Sequence, residues 1–208
     1  MSSLALPAIR RPLLRGFLAY GRFYMRKHFH ALRLARADRP QVGEGEPLLV
    51  YMNHPSWWDP MVALHLAYRL FPGRDHYGPI DGEALERYPL LGHMGLVGIE
   101  PGTPAGARRF LRLGSRAMAG GDRAFWVTAQ GTFTDVRRRP PGLRPGLGHL
   151  AARMDRGVVL PMAIEYTWWE ERLPEVLVRF GVPVRIQEEW ARSPGEWHRL
   201  FEDRLAGA

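Results

Sequence analysis

The sequence contains no cysteine among its 208 residues. This absence excludes disulfide bonds, thiolate-bound zinc, iron–sulfur clusters and a cysteine nucleophile in the chain. The sequence also has no uncharged stretch near the ~20 apolar residues that a membrane-spanning helix needs. No long apolar run follows the first basic residues, so we expect no secretory signal. With 46% hydrophobic and 24% charged residues, the composition is typical of one globular domain.

Positive charge is concentrated in the first part of the sequence. Residues 1–40 contain nine of the arginines and lysines and a single acidic residue, and this excess accounts for the whole net charge of +8. Residues 41–208 are therefore electrically balanced, which disfavours a nucleic-acid-binding body. We accordingly divide the chain into a basic N-terminal segment, 1–40, and a body, 41–208, and we expect no nucleic-acid partner.

The basic N-terminal segment has the pattern of an amphipathic helix, with a narrow cationic stripe and a wide apolar face rich in aromatic residues. The stripe contains Arg11, Arg15, Arg22, Arg26, Arg33 and Arg36. The apolar face contains Leu13, Leu14, Phe17, Tyr20, Phe23, Tyr24, Met25 and Leu32. Such a helix either packs on the body with its arginines in water, or docks in a membrane interface with its arginines at anionic headgroups. The pattern alone leaves both alternatives open.

Segments of strand and helix length alternate in the body, after a linker at residues 38–46. The predicted strands are 48–53, 76–80, 96–99, 124–129, 158–164 and 176–182. The predicted helices are 60–70, 82–87, 104–119, 145–156 and 194–205. Ser193 followed by Glu196 is typical of a capping box at the start of the last helix. The alternation predicts an α/β layered domain with a largely parallel or mixed central sheet flanked by helices, plus the N-terminal amphipathic helix.

A histidine and an aspartate lie five residues apart between the first predicted strand and the first helix of the body. A histidine beside a carboxylate is what a general base needs, because the carboxylate fixes the tautomer and stabilises the imidazolium. The same spacing occurs in His54/Asp59, His76/Asp81 and His198/Asp203. Only His54 and Asp59 lie where a buried strand ends and a helix begins, the usual place of active sites in α/β sheets. Since Asp59 precedes Pro60, an N-cap is the alternative role of its side chain.

Four short blocks follow one another between residues 48 and 165. They are residues 53–59, with the H-x4-D motif; 95–100, a glycine-containing hydrophobic strand; 129–134, Ala-Gln-Gly-Thr-Phe-Thr; and 159–164, hydrophobic residues around a proline. In content and order these blocks resemble those of the glycerolipid acyltransferase family, which includes the lysophosphatidic acid and glycerol-3-phosphate acyltransferases. Residues 143–146, Leu-Arg-Pro-Gly, resemble the segment that follows the family's third block.

The resemblance implies an O-acyltransferase that moves a fatty acyl group from an acyl thioester, acyl-CoA or acyl carrier protein, to the hydroxyl of a lipid or lysolipid. It implies that His54 is the general base and that Asp59 orients it. The acceptor oxygen attacks the thioester directly, so no acyl-enzyme forms, and we expect no bound cofactor and no metal. The turn Gln130-Gly131-Thr132 is expected to bind substrate, with its backbone N–H groups as candidate donors to the developing oxyanion.

Three positions depart from the family pattern. Pro101 and Phe133 stand where the family has arginines, and Gln130 stands where it has glutamate; the family's residues there are associated with a phosphate-bearing acceptor. Either other cations bind the phosphate, or the acceptor is a bulkier, less charged alcohol such as a glycosylated lipid or another lysolipid. The candidate cations are Arg137, Arg138, Arg139 and Arg144. A further row, Arg108, Arg112 and Arg116, is expected to be a solvated helix face.

Three functions stay open on the sequence. The first is O-acyl transfer to a lipid or lysolipid, the second is a lysophosphatidic acid acyltransferase of phospholipid synthesis, and the third is a non-catalytic lipid-binding protein that retains the fold. Because such an enzyme must reach a lipid, we expect a peripheral protein at the cytoplasmic face of a membrane, with anionic lipids, the acyl donor and the lipid acceptor as partners. Deletion of residues 1–40 should then abolish salt-sensitive vesicle binding and leave the body folded.

Overall fold

An eight-stranded sheet with helices on both faces forms the centre of the computed structural model, which describes residues 5–35, 40, 42–187 and 192–208. The strands are β1 (Ala31–Leu34), β2 (Leu48–Met52), β3 (Asp75–Asp81), β4 (Leu96–Ile99), β5 (Arg123–Thr128), β6 (Gly157–Thr167), β7 (Glu175–Phe180) and β8 (Val184–Ile186). The helices are α1 (Arg11–His28), α2 (Asp59–Leu70), α3 (Gly82–Arg87), α4 (Pro104–Met118), α5 (Gly146–Ala151) and α6 (Pro194–Ala206), with a 3₁₀ helix at Pro89–Met94. The predicted α/β class is confirmed.

The sheet is mixed and mainly parallel, as predicted. Its order is β1-β7-β6-β2-β5-β3-β4, and β8 pairs with part of β6. Strand β6 runs antiparallel to β7 and β8, whereas the other neighbouring strands pair in parallel. In the centre of the sheet, Met52 lies opposite Thr128 of β5 and Met162 of β6. The loop that follows β2 therefore starts beside the end of β5, at the carboxyl edge of the parallel strands.

Strand β2 is buried along its whole length because it lies between β5 and β6. Its alternate side chains point to opposite faces of the sheet, so one strand contributes to two cores. Leu49 and Tyr51 belong to the core beneath α4, α5 and α6, and the other three residues belong to the core beneath α1 and α2. The Tyr51 hydroxyl donates a 3.0 Å hydrogen bond to the Phe201 carbonyl and so fixes α6 on the sheet.

The N-terminal helix is shorter than the sequence predicts. α1 ends at His28, and Phe29 has an extended backbone with its buried ring packed edge-on against Trp58, at 4.8 Å between ring centroids. The following residues form β1, which pairs in parallel with β7. The prediction of a continuous helix through Arg36 is therefore wrong. The edge of β7 provides hydrogen-bond partners for the backbone of residues 31–34, which favours a strand there. No glycine or proline marks the change of structure in the sequence.

The shorter helix divides the predicted arginine stripe. Arg11 forms an ion pair with Asp75, and Arg33 lies in β1, where its Nε and Nη2 bind the buried Glu175 at 2.5 and 2.6 Å. The stripe arginines on α1 are all exposed: Arg11, which is in the ion pair, and Arg15, Arg22 and Arg26. Outside the described residues lie Arg36 and, from the predicted linker 38–46, positions 38, 39 and 41.

Helix α1 and strand β1 are built into the body. Leu14 and Met25 are buried, and Gly21 lies so close to α2 that a Cβ there would stand 2.9 Å from the sulfur of Met61. The expectation that the body stays folded without residues 1–40 conflicts with these contacts, because the deletion would expose core side chains and the edge of β7. In the part of the chain that the structure describes, no helix has both the length and the apolar character needed to cross a bilayer.

Most other predicted elements agree with the structure within a few residues. The helix predicted at 145–156 is shorter, since the chain turns after α5 to enter β6 through Gly157, whose φ is +136°. The sequence did not indicate β8 or the 3₁₀ helix, which are too short to show a clear period. The capping box of Ser193 and Glu196 is confirmed. The row that is exposed on α4, as predicted, is Arg108, Arg112 and Arg116.

Candidate active site

His54 is the second residue after β2, in the loop that leads to α2. Its backbone is fixed on both sides, because its N–H donates to Gln130 Oε1 at 2.6 Å and its carbonyl accepts from the Thr134 N–H at 2.9 Å. The preceding Asn53 exchanges two hydrogen bonds of 2.8 Å with the backbone of Ile164 in β6. The loop is thus tied to β6 and to the segment after β5, which positions the imidazole at the carboxyl edge of the sheet.

The imidazole of His54 binds the carboxylate of Asp59. Nδ1 lies 2.7 Å from Asp59 Oδ2; the aspartate is fully buried, whereas 17% of the histidine side chain is accessible. A carboxylate accepts a hydrogen bond at this distance, so we assign the proton of the neutral imidazole to Nδ1 and the lone pair to Nε2. Among the described residues, Nε2 has no hydrogen-bond partner. The structure therefore brings the predicted pair together and leaves the basic nitrogen free to take a proton.

Asp59 is held by two further donors. The Ser56 N–H donates to Oδ2 at 3.1 Å, and the Tyr166 hydroxyl donates to Oδ1 at 2.7 Å. Helix α2 begins at Asp59 itself, and its N-cap, Trp58, makes no capping hydrogen bond through its side chain. The alternative role of Asp59 as an N-cap is therefore wrong, because both of its oxygens are turned towards the loop and β6 and away from the helix backbone.

Tyr166 is a site residue that the sequence analysis missed. It lies near the end of β6, two residues beyond the predicted end of that strand, so no motif or strand prediction included it. Burial and the negative charge of Asp59 raise the pKa of its hydroxyl. The hydroxyl therefore stays protonated at neutral pH and acts as a permanent donor to the carboxylate.

The histidines of the other two pairs with this spacing bind other partners than the aspartate five residues further on. His76 is buried in β3, where Nδ1 accepts from Trp126 Nε1 and Nε2 donates to the Phe71 carbonyl, each at 3.0 Å. Burial lowers the pKa of His76 to about 4, so this imidazole is neutral at neutral pH. His198 lies 3.9 Å from Glu202 on the next turn of α6. These contacts agree with the choice of His54 and Asp59, which rested on the position of that pair between a strand and a helix.

The side chain of Gln130 fixes the position of the loop that contains His54. Its side chain is buried, Oε1 accepts from the His54 N–H, and Nε2 donates to the Pro141 carbonyl at 2.7 Å. Both ends of the amide are therefore engaged within the protein, which makes Gln130 a positioning residue in this geometry. Its predicted role in binding substrate stays a prediction.

The turn that follows Gln130 offers fewer free donors than the sequence suggests. The Gly131 N–H donates to the Thr128 carbonyl at 3.1 Å, and Gly131 has a φ of +66°, a conformation that favours glycine. The expectation that this N–H is free for an oxyanion is therefore wrong. Within the described residues, the Thr132 N–H has no protein acceptor, and its predicted role stays a prediction.

Of the four arginines named as candidate cations, Arg137 and Arg144 lie on the outside of the loop at residues 129–144. Arg137 is 86% exposed, and its Nη2 pairs with Asp135 Oδ2 at 2.5 Å. Arg144 is exposed, and its N–H closes the loop on the Ala129 carbonyl at 2.8 Å. Neither side chain lines either of the two grooves described below. Their binding roles stay predictions.

An apolar groove of about 660 Å³ opens beside His54. The Phe133 ring, which is 64% exposed, lies 4.6 Å from the His54 imidazole between ring centroids. The wall of this apolar groove includes Phe29, Trp57, Trp58, Phe133, Tyr166 and Trp168. The wall also contains the polar side chains of His28, Ser56, Thr134 and Asp135. The aromatic part of the wall suits an apolar chain.

A second cavity of about 420 Å³ reaches Asn53 and Gln130. We call it the arginine groove, because its wall contains Arg33, Arg138, Arg139 and Arg179. Asp135 and Val136 line both grooves, which therefore adjoin at the loop 129–144. In the described part of the chain, no group of three or more His, Asp or Glu side chains is arranged to hold a metal ion.

Gly95, the first residue of the second block, has a structural explanation. Gly95 precedes β4 with a φ of +98°, and a Cβ there would stand 2.1 Å from the His76 carbonyl oxygen. Only glycine fits this approach of β4 to β3. Pro101, which departs from the family pattern, lies in the exposed turn before α4 and lines neither groove.

Comparison with known proteins gives the fold. No protein-family model matches the sequence, and no curated protein matches it significantly. The structure is similar to the crystal structure of the 1-acyl-sn-glycerophosphate (LPA) acyltransferase PlsC from Thermotoga maritima, with a TM-score of 0.62 and 17% sequence identity. The similarity covers 92% of this chain and 76% of that chain. The resemblance indicated by the four blocks is thus confirmed at the level of fold: the chain has the α/β fold of a 1-acyl-sn-glycerophosphate acyltransferase.

Proposed function

We propose that the protein is an O-acyltransferase that moves a fatty acyl group from an acyl thioester to the hydroxyl of a lipid or lysolipid. The observation that carries this proposal is the 2.7 Å contact between His54 Nδ1 and Asp59 Oδ2, which leaves Nε2 without a hydrogen-bond partner among the described residues. The next two residues of the loop, Pro55 and Ser56, line the apolar groove. The fold that the chain shares with an acyltransferase supports the same function. The donor is acyl-CoA or acyl carrier protein.

In the proposed reaction, His54 Nε2 removes the proton of the acceptor hydroxyl while the oxygen attacks the carbonyl carbon of the thioester. The buried carboxylate of Asp59 stabilises the imidazolium that forms. The tetrahedral intermediate then breaks its C–S bond, and the leaving sulfur takes the proton from His54. The products are an ester and a free thiol, and the base is regenerated.

The apolar groove is proposed to hold an acyl chain next to the base. Its aromatic walls remove methylene groups from water, and each buried methylene contributes about 0.8 kcal/mol. Phe133 lines the groove and its ring contacts the His54 imidazole, so a chain in the groove lies near the imidazole. This arrangement favours a lipid substrate over a small polar one.

We infer that the protein works as a peripheral protein at the cytoplasmic face of a membrane, with α1 as the docking element. Tyr20 and Phe23 of α1 are 54% and 66% exposed, on a helix that also has exposed arginines. Tyr24 packs on Trp58 at 5.3 Å between centroids, which brings the helix next to the apolar groove. Trp57 at the groove is 61% exposed. Exposed aromatic rings beside cations are typical of helices that bind anionic lipid surfaces.

A lysophosphatidic acid acyltransferase is the second candidate. The name of the similar crystal structure and the arginine groove favour it. Phe133, which stands where the family has an arginine, favours a less charged acceptor. A non-catalytic lipid-binding protein is the third candidate, motivated by the changed third block; the intact His54–Asp59 pair argues against it.

Release of free thiol from palmitoyl-CoA tests the proposal, with lysophosphatidic acid or a neutral lysolipid as acceptor in anionic vesicles. We expect no transfer by His54→Ala, and a loss of about 10²- to 10⁴-fold in Asp59→Asn, which favours the wrong tautomer. Both variants should keep the circular dichroism spectrum of the parent protein. His149→Ala, which removes an exposed histidine of α5, is the matched control.

The outcomes separate the three candidates. Unchanged turnover in His54→Ala would contradict the proposed base. Preference for lysophosphatidic acid over neutral lysolipids would support the second candidate. If the parent protein releases no thiol with any acceptor, the lipid-binding candidate is favoured.

A further inference from the structure

Exposed aromatic rings surround the mouth of the apolar groove. Trp57, Phe133 and Trp168 line this groove, yet they are 61%, 64% and 65% exposed. Trp169, the next residue along the chain, is 67% exposed. A soluble protein rarely exposes a cluster of large apolar side chains unless the cluster binds a partner or a membrane. The rings around the groove mouth are therefore a candidate interaction surface.

Two of these rings belong to one exposed turn. Residues 168–174, Trp-Trp-Glu-Glu-Arg-Leu-Pro, connect β6 to β7, and we call them the tryptophan turn. Within the described part of the chain, neither Trp168 nor Trp169 makes a ring contact or a side-chain hydrogen bond. Both indole groups therefore lie mainly in solvent, and the packing of the body does not explain them.

The tryptophan turn adjoins α1, the helix proposed above to dock on a membrane. The Pro174 carbonyl, at the end of the turn, accepts a 2.9 Å hydrogen bond from the His30 N–H, two residues beyond the end of α1. At the wall of the groove, Trp57 packs on Trp58 at 4.3 Å between ring centroids, and Trp58 packs on Tyr24 of α1 at 5.3 Å. The exposed rings and the helix thus form one continuous surface.

The two parts of this surface differ in charge. The second half of α1 exposes Arg22, Arg26 and Lys27, and these cations are complementary to anionic headgroups. The tryptophan turn contains two glutamates and one arginine, so an anionic surface does not attract it by charge. Any attraction of the turn to lipid comes from its indole rings, which favour the interface between hydrocarbon and headgroups.

We propose that Trp168 and Trp169 insert into the membrane interface and form a second lipid-binding element, independent of charge, beside α1. The inference rests on the function proposed above in one respect, since the lipid surface is where the substrate of that function lies. A lipid surface fits these rings better than a second copy of the chain does. The adjoining cations of α1 are complementary to lipid headgroups, whereas they would repel the same cations of a copy packed on this face.

Vesicle binding in high salt tests the inference without turnover. The full chain is co-sedimented with vesicles of phosphatidylglycerol and phosphatidylcholine in about 0.1 M and about 1 M sodium chloride, because the higher concentration screens the cations of α1. We expect part of the binding to persist in high salt. Trp168→Ala/Trp169→Ala should weaken this salt-resistant binding about 10-fold or more, since it removes two apolar rings from the interface.

Control variants separate insertion from other effects of substitution. Val182→Ala shortens an exposed apolar side chain in the turn between β7 and β8, outside both grooves, and should bind as the parent does. Trp168→Phe/Trp169→Phe keeps two aromatic rings and should keep most of the salt-resistant binding. Because both tryptophans are exposed, the two double variants should unfold at the same temperature as the parent.

The inference is overturned if no binding of the parent persists in high salt, or if the alanine double variant retains it. It is also overturned if sedimentation velocity shows a dimer of the parent that this variant does not form, because a second copy would then cover the tryptophans. Thiol release is measured separately. A parent protein that transfers acyl groups without salt-resistant binding would refute the second lipid-binding element and leave the proposed function standing, whereas salt-resistant binding without thiol release would refute the function alone.

Discussion

The Tyr166 hydroxyl donates a 2.7 Å hydrogen bond to Asp59 Oδ1, on the carboxylate whose other oxygen binds His54 Nδ1. Tyr166 belongs to β6 and Asp59 to α2, so the sheet and the helix both determine the orientation of the carboxylate. With donors on each of its oxygens, the carboxylate has a single orientation, and the imidazole that depends on it has one as well.

Tyr166→Phe removes this donor and keeps the aromatic ring. We expect kcat to fall about 10-fold or more with KM unchanged, because a hydrogen bond to a charged group contributes about 1.5–3 kcal/mol. Steady-state kinetics of thiol release measure both constants. Tyr88→Phe, at an exposed tyrosine that lines neither groove, is the control. A variant that raises KM and keeps kcat would show that Tyr166 contacts substrate and does not position the base.

Because His76 is neutral in the folded protein, we expect the free energy of unfolding to fall in acid. Its pKa in the folded protein is about 4, below the 6.5 of an ordinary histidine, so between these values the unfolded chain binds a proton that the folded chain does not. The free energy of unfolding should be insensitive to this group above pH 6.5 and fall by up to about 3 kcal/mol as the pH drops to 4. Urea denaturation at several pH values measures the fall.

His76→Gln separates this effect from other titrating groups. A glutamine accepts and donates hydrogen bonds but does not titrate, so the variant should lose less stability than the parent between pH 6.5 and 4. Equal losses in the two proteins would show that another group causes the acid sensitivity.

Gln130→Glu restores the residue that the family has at this position, and we expect it to destabilise this protein. The new carboxylate can still accept from the His54 N–H, but its second oxygen faces the Pro141 carbonyl, where Gln130 now donates at 2.7 Å. A buried acceptor without a donor costs about 1–3 kcal/mol of unfolding free energy. Urea denaturation at pH 7 measures the loss, with the exposed Gln187→Glu as control. An unchanged midpoint would mean that the Pro141 contact does not hold the loop.

Charge reversal on α1 tests the membrane proposal without deleting β1. The triple variant Arg15→Glu/Arg22→Glu/Arg26→Glu should lose most salt-sensitive binding to anionic vesicles, since each cation near such a surface contributes about 1 kcal/mol. The control makes the same change in net charge on α4, as Arg108→Glu/Arg112→Glu/Arg116→Glu. Vesicle co-sedimentation measures binding. Equal losses in the two variants would point to net charge, and no loss in either would remove α1 as the docking element.

The sequence predicted the part of the site that is local in the chain. His54 and Asp59 are five residues apart in one loop, so a motif contains both. Gln130 and Tyr166 are 76 and 107 residues from the groups they bind, and only the order of strands in the sheet brings them there. The motif in residues 129–134 therefore drew attention to Gln130, but it did not predict that this side chain fixes the His54 loop. Nothing in the sequence indicated Tyr166.

The same limit explains the error in the N-terminal segment. Residues 31–34, Ala-Leu-Arg-Leu, fit a helical wheel as well as a strand, because four residues are too few to separate a period of 3.6 from a period of 2. What selects the strand is the edge of β7, which local periodicity does not contain. The central strands β2 and β6 were predicted because they are apolar runs, although β6 continues to Thr167, three residues past its predicted end.

The pairing of β1 with β7 also determines when the N-terminal segment acquires its partner during synthesis. Arg33 binds Glu175, which lies 142 residues further along the chain. Strand β1 therefore cannot pair until β7 has been synthesised. Pairs of such long sequence separation form late, and until then the apolar face of α1 has no complete sheet to cover it. The N-terminal segment is therefore synthesised long before the sheet that completes its packing exists.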